Sequence, residues 1–223
     1  MFFLTPALLL GRALGLIIGF TFHEFAHAWT ADRLGDTTPR FQRRLTLDPR
    51  SHIDVIGILM ALIAGFGWAK PVPVNPRAFY PNERRSMMIV AFAGPLTNLV
   101  IAFVLSIPVR LILALTDTYS IAQHWYTELP FEILTVMVFF NVVLFFFNLI
   151  PLAPLDGWRV MLGLVPPHIA RQLQQYEQEA MFALMMLIFV GFFIPQLSVI
   201  GAVIGPFIRL TFDLFTGLSG PLL

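Results

Sequence analysis

The sequence predicts an all-α polytopic membrane protein with five to six membrane-embedded helical segments. Composition and segment length carry this. Of 223 residues, 57% are hydrophobic and only 12% are charged, against roughly 25% charged in soluble domains. Several apolar stretches reach the length of about 20 residues that a membrane-crossing helix needs. No internal repeat or low-complexity linker is visible, so residues 1–223 read as one domain, with a core over about 1–165 and C-terminal helices over about 166–223. A net charge of +1 gives no argument for a nucleic-acid partner, and the absence of cysteine excludes disulfides and thiolate metal ligands. The first residues lack a basic leader and their apolar run continues into polar residues, so a cleaved signal peptide is not expected.

The first apolar segment runs from about Phe2 to Trp29. Arg12 interrupts it and is expected either to pair inside the bundle or to snorkel. A polar stretch follows from Thr30 to His52. Residues 53–68, IDVIGILMALIAGFGW, are apolar but short, since 16 residues rise only about 24 Å as a helix. The next stretch, AKPVPVNPRAFYPNERR, is rich in proline and charge and reads as loop or edge strand. Further apolar segments fall at roughly 87–115, 131–155, 180–195 and 197–216, the last containing Pro206 and Arg209.

Basic residues are distributed unevenly. Arg33, Arg40, Arg43, Arg44 and Arg50 precede the 53–68 segment, and Lys70, Arg77, Arg84 and Arg85 follow it. The positive-inside rule puts both stretches on the cytoplasmic side. That holds only if 53–68 dips into the membrane and returns; the alternative is a short tilted span. With re-entry, the ends of the first segment and of 131–155 share one depth near the cytoplasmic face.

Those two ends carry the chemistry. His23, Glu24 and His27 form H-E-x-x-H, in which residues i and i+4 share one helix face and can grip one ion while the glutamate reaches a water on it. Chance gives this pattern about 0.003 expected occurrences in such a composition. Zinc accepts imidazole nitrogen and leaves a position for water, and a catalytic zinc usually has three protein ligands. Without cysteine the third must be His, Asp or Glu. Asp156 is the best candidate, at the end of NLIPLAPLDG (148–157). Pro151 and Pro154 break the helix beside it, and irregular backbone at membrane depth lines a cavity or is buried in protein. Glu132 reads as a solvated acid at a helix start and Asp54 as a helix cap; Asp213 has no neighbouring partner. His52, His124 and His168 read as interfacial.

With these residues in view, the chain resembles the site-2 protease family of intramembrane zinc metalloproteases (peptidase M50). HEFAH (23–27) matches that family's first motif, and NLIPLAPLDG matches its second. RRLTLDPRSHIDVIG (43–57), GWAKPVPVNP (67–76) and GPLTN (94–98) look like the small prokaryotic branch without a PDZ domain. The one departure is Val55, where relatives often have proline. The resemblance implies His23, His27 and Asp156 as ligands of one Zn²⁺ per chain, Glu24 as catalytic base, and Asn148 near the scissile carbonyl. It implies a lipid bilayer and a transmembrane protein substrate as partners, in a prokaryotic cell membrane with the active site toward the cytoplasm.

A substrate helix must unwind to be cut, and its freed backbone groups then need partners. The KPVPVNP stretch, with Lys70, Val72 and Val74, is expected to offer a strand edge. Gly94, Pro95, Thr97 and Asn98 read as helix packing, with a substrate contact as the second reading of Asn98. The rival readings are a metal transporter, which is expected to show repeats and paired broken helices, and an inactive protease-like scaffold.

Overall fold

Helix α1 (Pro6–Arg33) starts where the sequence supplies a cap. The Thr5 hydroxyl accepts the Leu8 N–H at 3.1 Å, and Pro6 occupies the first turn, where its missing N–H leaves nothing unsatisfied. The helix stops at Gly35, whose φ of +110° needs a residue without Cβ. In this computed structural model, which describes residues 5–64, 67–116, 121 and 125–218, the other helices are α2 (Thr38–Phe41), α3 (Val55–Ala64), α4 (Glu83–Leu115), α5 (Trp125–Asn148), α6 (Asp156–Leu164), α7 (Pro167–Gln174), α8 (Glu177–Phe193) and α9 (Val199–Thr216). Helices α1, α4, α5 and α9 are each long and apolar enough to cross a membrane, and α7 with α8, bent by 65°, forms a fifth candidate.

The bundle centre is α1, α4 and α5. Gly11, Gly15 and Gly19 make one stripe along α1 at four-residue spacing. A Cβ on Gly11 would lie 2.9 Å from Val136 Cβ, and one on Gly15 would lie 3.1 Å from Met137 Cα. In lipid, where apolar contact alone drives no association, such small residues let two helix backbones approach. Ala102 and Val109 of α4, Val138 and Val142 of α5, and Ile208 and Phe212 of α9 build a second, dry layer.

The short 53–68 segment is a hairpin. Ile53 and Ala69 form an antiparallel bridge, and Lys70 N–H donates to the His52 carbonyl at 2.8 Å. The two arms touch through glycine: a Cβ on Gly57 would stand 2.0 Å from the Trp68 carbonyl oxygen. Asp54 accepts the Gly57 N–H at 2.9 Å, capping α3 as expected. The segment therefore ends beside its start, and α4 begins at the end of the bundle where α1 finishes.

Several expectations need correction. The edge strand is absent: among the described residues no strand forms, and 70–75 runs without a partner strand. Helix α5 begins at Trp125, not 131, and carries Pro130 inside it as its sixth residue. Glu132 is thus inside the helix and accepts a hydrogen bond from the Thr5 hydroxyl at 2.9 Å. His52 is fully buried, its Nε2 bonded to the Thr46 carbonyl at 2.7 Å, so it is no interfacial residue; His168 is exposed, and His124 lies outside the described residues. Asp213 has a companion, Arg209, at 3.8 Å. Arg12 lies 5.2 Å over the Phe140 ring.

Candidate metal centre

The glycine stripe of α1 continues, on the same four-residue spacing, as His23 and His27. Both imidazoles therefore face the seam between α4 and α5. The α5 helix ends at Asn148, and the chain from Leu149 to Leu155 turns back so that α6 opens on Asp156. Gly157 makes that turn possible: a Cβ there would lie 2.3 Å from the Leu149 carbonyl oxygen. His23 Nε2 is 3.0 Å from Asp156 Oδ2, His27 Nε2 is 3.3 Å from Asp156 Oδ1, and the two Nε2 atoms are 3.0 Å apart.

Hydrogen bonding behind the rings fixes which nitrogen carries the proton. His27 Nδ1 sits 2.8 Å from the Val90 carbonyl, which only accepts. His23 Nδ1 sits 2.7 Å from Asn98 Oδ1. The Asn98 amide nitrogen donates to the Gly19 carbonyl at 3.1 Å and to Asn141 Oδ1 at 3.1 Å, so its oxygen must face the histidine. Asn141 in turn donates to the Met137 carbonyl at 2.9 Å. Both Nδ1 atoms are donors, so in each neutral imidazole the lone pair lies on Nε2, and the two Nε2 atoms converge with a carboxylate on one point. With both rings neutral, three electron-pair donors face one another, an arrangement that a bound cation stabilises. Ligand atoms about 2.0–2.1 Å from a tetrahedral zinc stand about 3.3 Å apart, close to the three separations here. The donor set and spacing fit zinc.

Space for the cluster comes from Gly94 of α4. A Cβ there would lie 2.5 Å from both Cε1 and Nε2 of His27 and 2.7 Å from His23 Nε2. A cleft of about 470 Å³ opens on the cluster, lined by Glu24, Val72, Val74, Met87, Asn148 and Arg159 among others. Glu24 Oε2 accepts the Val72 N–H at 3.0 Å.

The sequence-expected residues divide accordingly. His23, His27 and Asp156 are brought together, with Glu24 in the same cleft. Asn148 lines the cleft and its amide donates to the Leu144 carbonyl at 2.9 Å. Val72 and Val74 line it too. Lys70 does not: its side chain is exposed, its N–H is bonded to His52 and its carbonyl to Arg44. Asn98 is fully buried behind His23, and its amide is saturated. The supporting roles of Gly94, Asn98, Asn141 and the Val90 carbonyl have no local sequence signal beyond polar or small residues inside apolar helices.

A bundle of spanning helices around a buried two-histidine, one-aspartate cluster defines a membrane zinc metalloprotease. The profile of Peptidase family M50 matches residues 11–129 and 112–192, and the chain belongs to that family. It is 42% identical over 164 residues to Putative zinc metalloprotease YwhC of Bacillus subtilis, covering 73% of this chain and 72% of that protein. It is 32% identical over 178 residues to Putative zinc metalloprotease Rip2 of Mycobacterium tuberculosis H37Rv, covering 78% of this chain but 64% of that one. Putative zinc metalloprotease MJ0611 of Methanocaldococcus jannaschii is 29% identical over 147 residues, 64% of each chain. No solved structure matches significantly.

Proposed function

We propose that this protein is an intramembrane endopeptidase that hydrolyses peptide bonds within or next to the transmembrane segments of membrane-protein substrates. One observation carries the reading: the convergence of two Nε2 lone pairs and the Asp156 carboxylate at a cleft that also holds Glu24. His23, His27 and Asp156 hold one zinc ion per chain. When bound, zinc supplies a Lewis acid that acidifies water and polarises the scissile carbonyl. Glu24 takes the proton from the attacking water and returns it to the leaving amine. The Asn148 amide, at the rim of the same cleft, supports the carbonyl oxygen as charge develops on it.

The cleft is bounded by Phe20 of α1 and by Leu144 and Phe147 of α5, and reaches Leu184 and Met185 of α8. A substrate segment delivered from the bilayer meets an apolar wall first and the cluster after it. Once unwound, its backbone needs partners, and the 70–75 stretch, which has no partner strand and whose Val72 and Val74 line the cleft, supports pairing there. The hairpin of α3 returns the chain to the side where α1 ends. With basic residues on both its flanks, this supports an active site toward the cytoplasmic side of a prokaryotic membrane.

Purified protein in detergent, given a model transmembrane substrate, tests the reading. Cleavage is expected to require zinc, to stop with a chelator, and to fall by at least about a hundredfold in Glu24→Gln, the lower end of what general acid–base catalysis contributes. Full proteolysis by a Glu24→Gln protein that still binds zinc removes Glu24 as the base.

A further inference from the structure

Glu24 follows His23 on α1, so its side chain leaves the helix about 100° away from the face that holds the imidazoles. It points toward the 68–75 segment. Among the described residues its carboxylate accepts one hydrogen bond, from the Val72 N–H to Oε2; Oε1 accepts none. A carboxylate on a flexible stem has several rotamers, and a charge-assisted bond from a fixed backbone donor selects one.

The donor is fixed from behind. Lys70 N–H is bonded to His52 at 2.8 Å. The Arg44 guanidinium reaches the carbonyls of Pro71 at 2.6 Å and Lys70 at 3.3 Å, and also that of Ser51. Asp36 Oδ2 accepts the Asn75 N–H at 2.7 Å. Asp36 and Arg44 are 1% and 6% exposed, so two buried charges outside the spanning helices are engaged with one short segment. Lys70, Val72 and Asn75 each precede a proline, which holds them extended. In extended chain successive residues face opposite sides. The groups of Pro71 and Asn75 on the outer edge are taken by Arg44 and Asp36, while Val72 and Val74 face inward.

We infer that the main-chain N–H of Val72 is a positioning group for Glu24, held in place by the Arg44 and Asp36 clamps. The inference rests on Glu24 as the base. It divides the inner edge into two parts: the Val72 N–H serves the enzyme's own carboxylate, and the Val72 carbonyl with both groups of Val74, which make no hydrogen bond among the described residues, are left for substrate.

Hydrogen exchange tests the bond without reference to activity. Val72 is flanked by Pro71 and Pro73, which carry no amide hydrogen, so fragmenting a 69–77 peptide after exchange separates its amide from those of Lys70, Val74 and Asn75. Glu24→Ala is expected to speed Val72 exchange at least tenfold while Lys70 and Asn75 keep their protection. Equal Val72 exchange in both proteins overturns the inference. Val72→Pro removes the donor together with the valine side chain, for which Val72→Ala controls, in a segment its neighbours already keep extended. It is expected to retain zinc and to lower kcat at least tenfold with little change in KM, and to lose far more kcat than Val72→Ala, which keeps the N–H. In a Glu24→Asp background, whose shorter carboxylate no longer reaches residue 72, Val72→Pro is expected to have little further effect. An equal fold-loss in both backgrounds, or a loss confined to KM, assigns the N–H to substrate or folding and overturns the inference. If Val72→Pro does not fold, the exchange result decides alone. A fully active Glu24→Gln sinks the base assignment, whereas an unchanged Val72 amide sinks only its positioning.

Discussion

The Val90 carbonyl and the Asn98 side-chain oxygen determine how His23 and His27 present themselves. Each accepts an Nδ1–H, which leaves Nε2 bare toward Asp156. Removing one acceptor lets the ring turn and the tautomer relax. Asn98→Ala is therefore expected to weaken zinc binding about 10–100-fold, the usual effect of losing such a partner, measured by competition with a chromogenic chelator. Gly94→Ala acts on the same atoms by volume, because its Cβ would stand 2.5 Å from His27 Nε2. It is expected to cost more zinc affinity than Asn98→Ala, and a Gly94→Ala protein with unaltered affinity shows that the imidazoles can move aside. HEFAH was legible in the sequence because its geometry is local: four residues on one helix fix one face. Asp156 was legible because an acid after two prolines in an apolar run has few other reasons to exist. Asn98 read as a packing residue or a substrate contact, and not as the partner of His23. Its true partners are 75, 79 and 43 residues away in sequence, and nothing local points to them.

At the scale of elements, the stripe of α1 performs two tasks at different depths. Gly11, Gly15 and Gly19 admit α5 closely, and the next two positions of the same face are the ligands. Gly11 lies three helical turns and more from His23, against Val136 Cβ at 2.9 Å and the Ile133 carbonyl at 3.0 Å. Gly11→Leu forces backbone atoms apart and is expected to lower stability by about 1–3 kcal/mol, the usual range for overpacking. Zinc affinity should change little. Gly19→Leu sits against Leu144 and Asn141, one turn from the cluster, and is expected to lose both. Thermal unfolding in detergent with and without chelator separates the two. The stripe is visible in the sequence, but its meaning depends on which helix faces it. In lipid both faces of a helix are apolar, so periodicity does not mark the buried one; α1 has exposed Leu9, Leu10 and Leu14 beside its buried Leu16.

For the whole molecule, the decisive element is the one too short to cross. If 53–69 spanned the bilayer, α1 and α4 would both run the same way, and Val90, near the start of α4, could not meet His27, near the end of α1. Charge pattern alone left re-entry and crossing open; the Ile53–Ala69 bridge and the Gly57–Trp68 contact favour the hairpin. The apolar residues Val55, Ile56 and Ile63 are 71%, 65% and 81% exposed, an apolar surface on the hairpin that suits lipid better than water. The chain contains no cysteine, so single substitutions report topology without background. In sealed vesicles, a membrane-impermeant maleimide is expected to label Arg50→Cys and Arg77→Cys from the same side, the cytoplasmic one. Glu128→Cys, at the far end of α5, should react only from the opposite side, and Ile63→Cys from neither. Labelling of Arg50→Cys and Arg77→Cys from opposite sides makes 53–69 a span. It then also separates His27 from Asp156 by the thickness of the membrane, which no single metal ion can bridge.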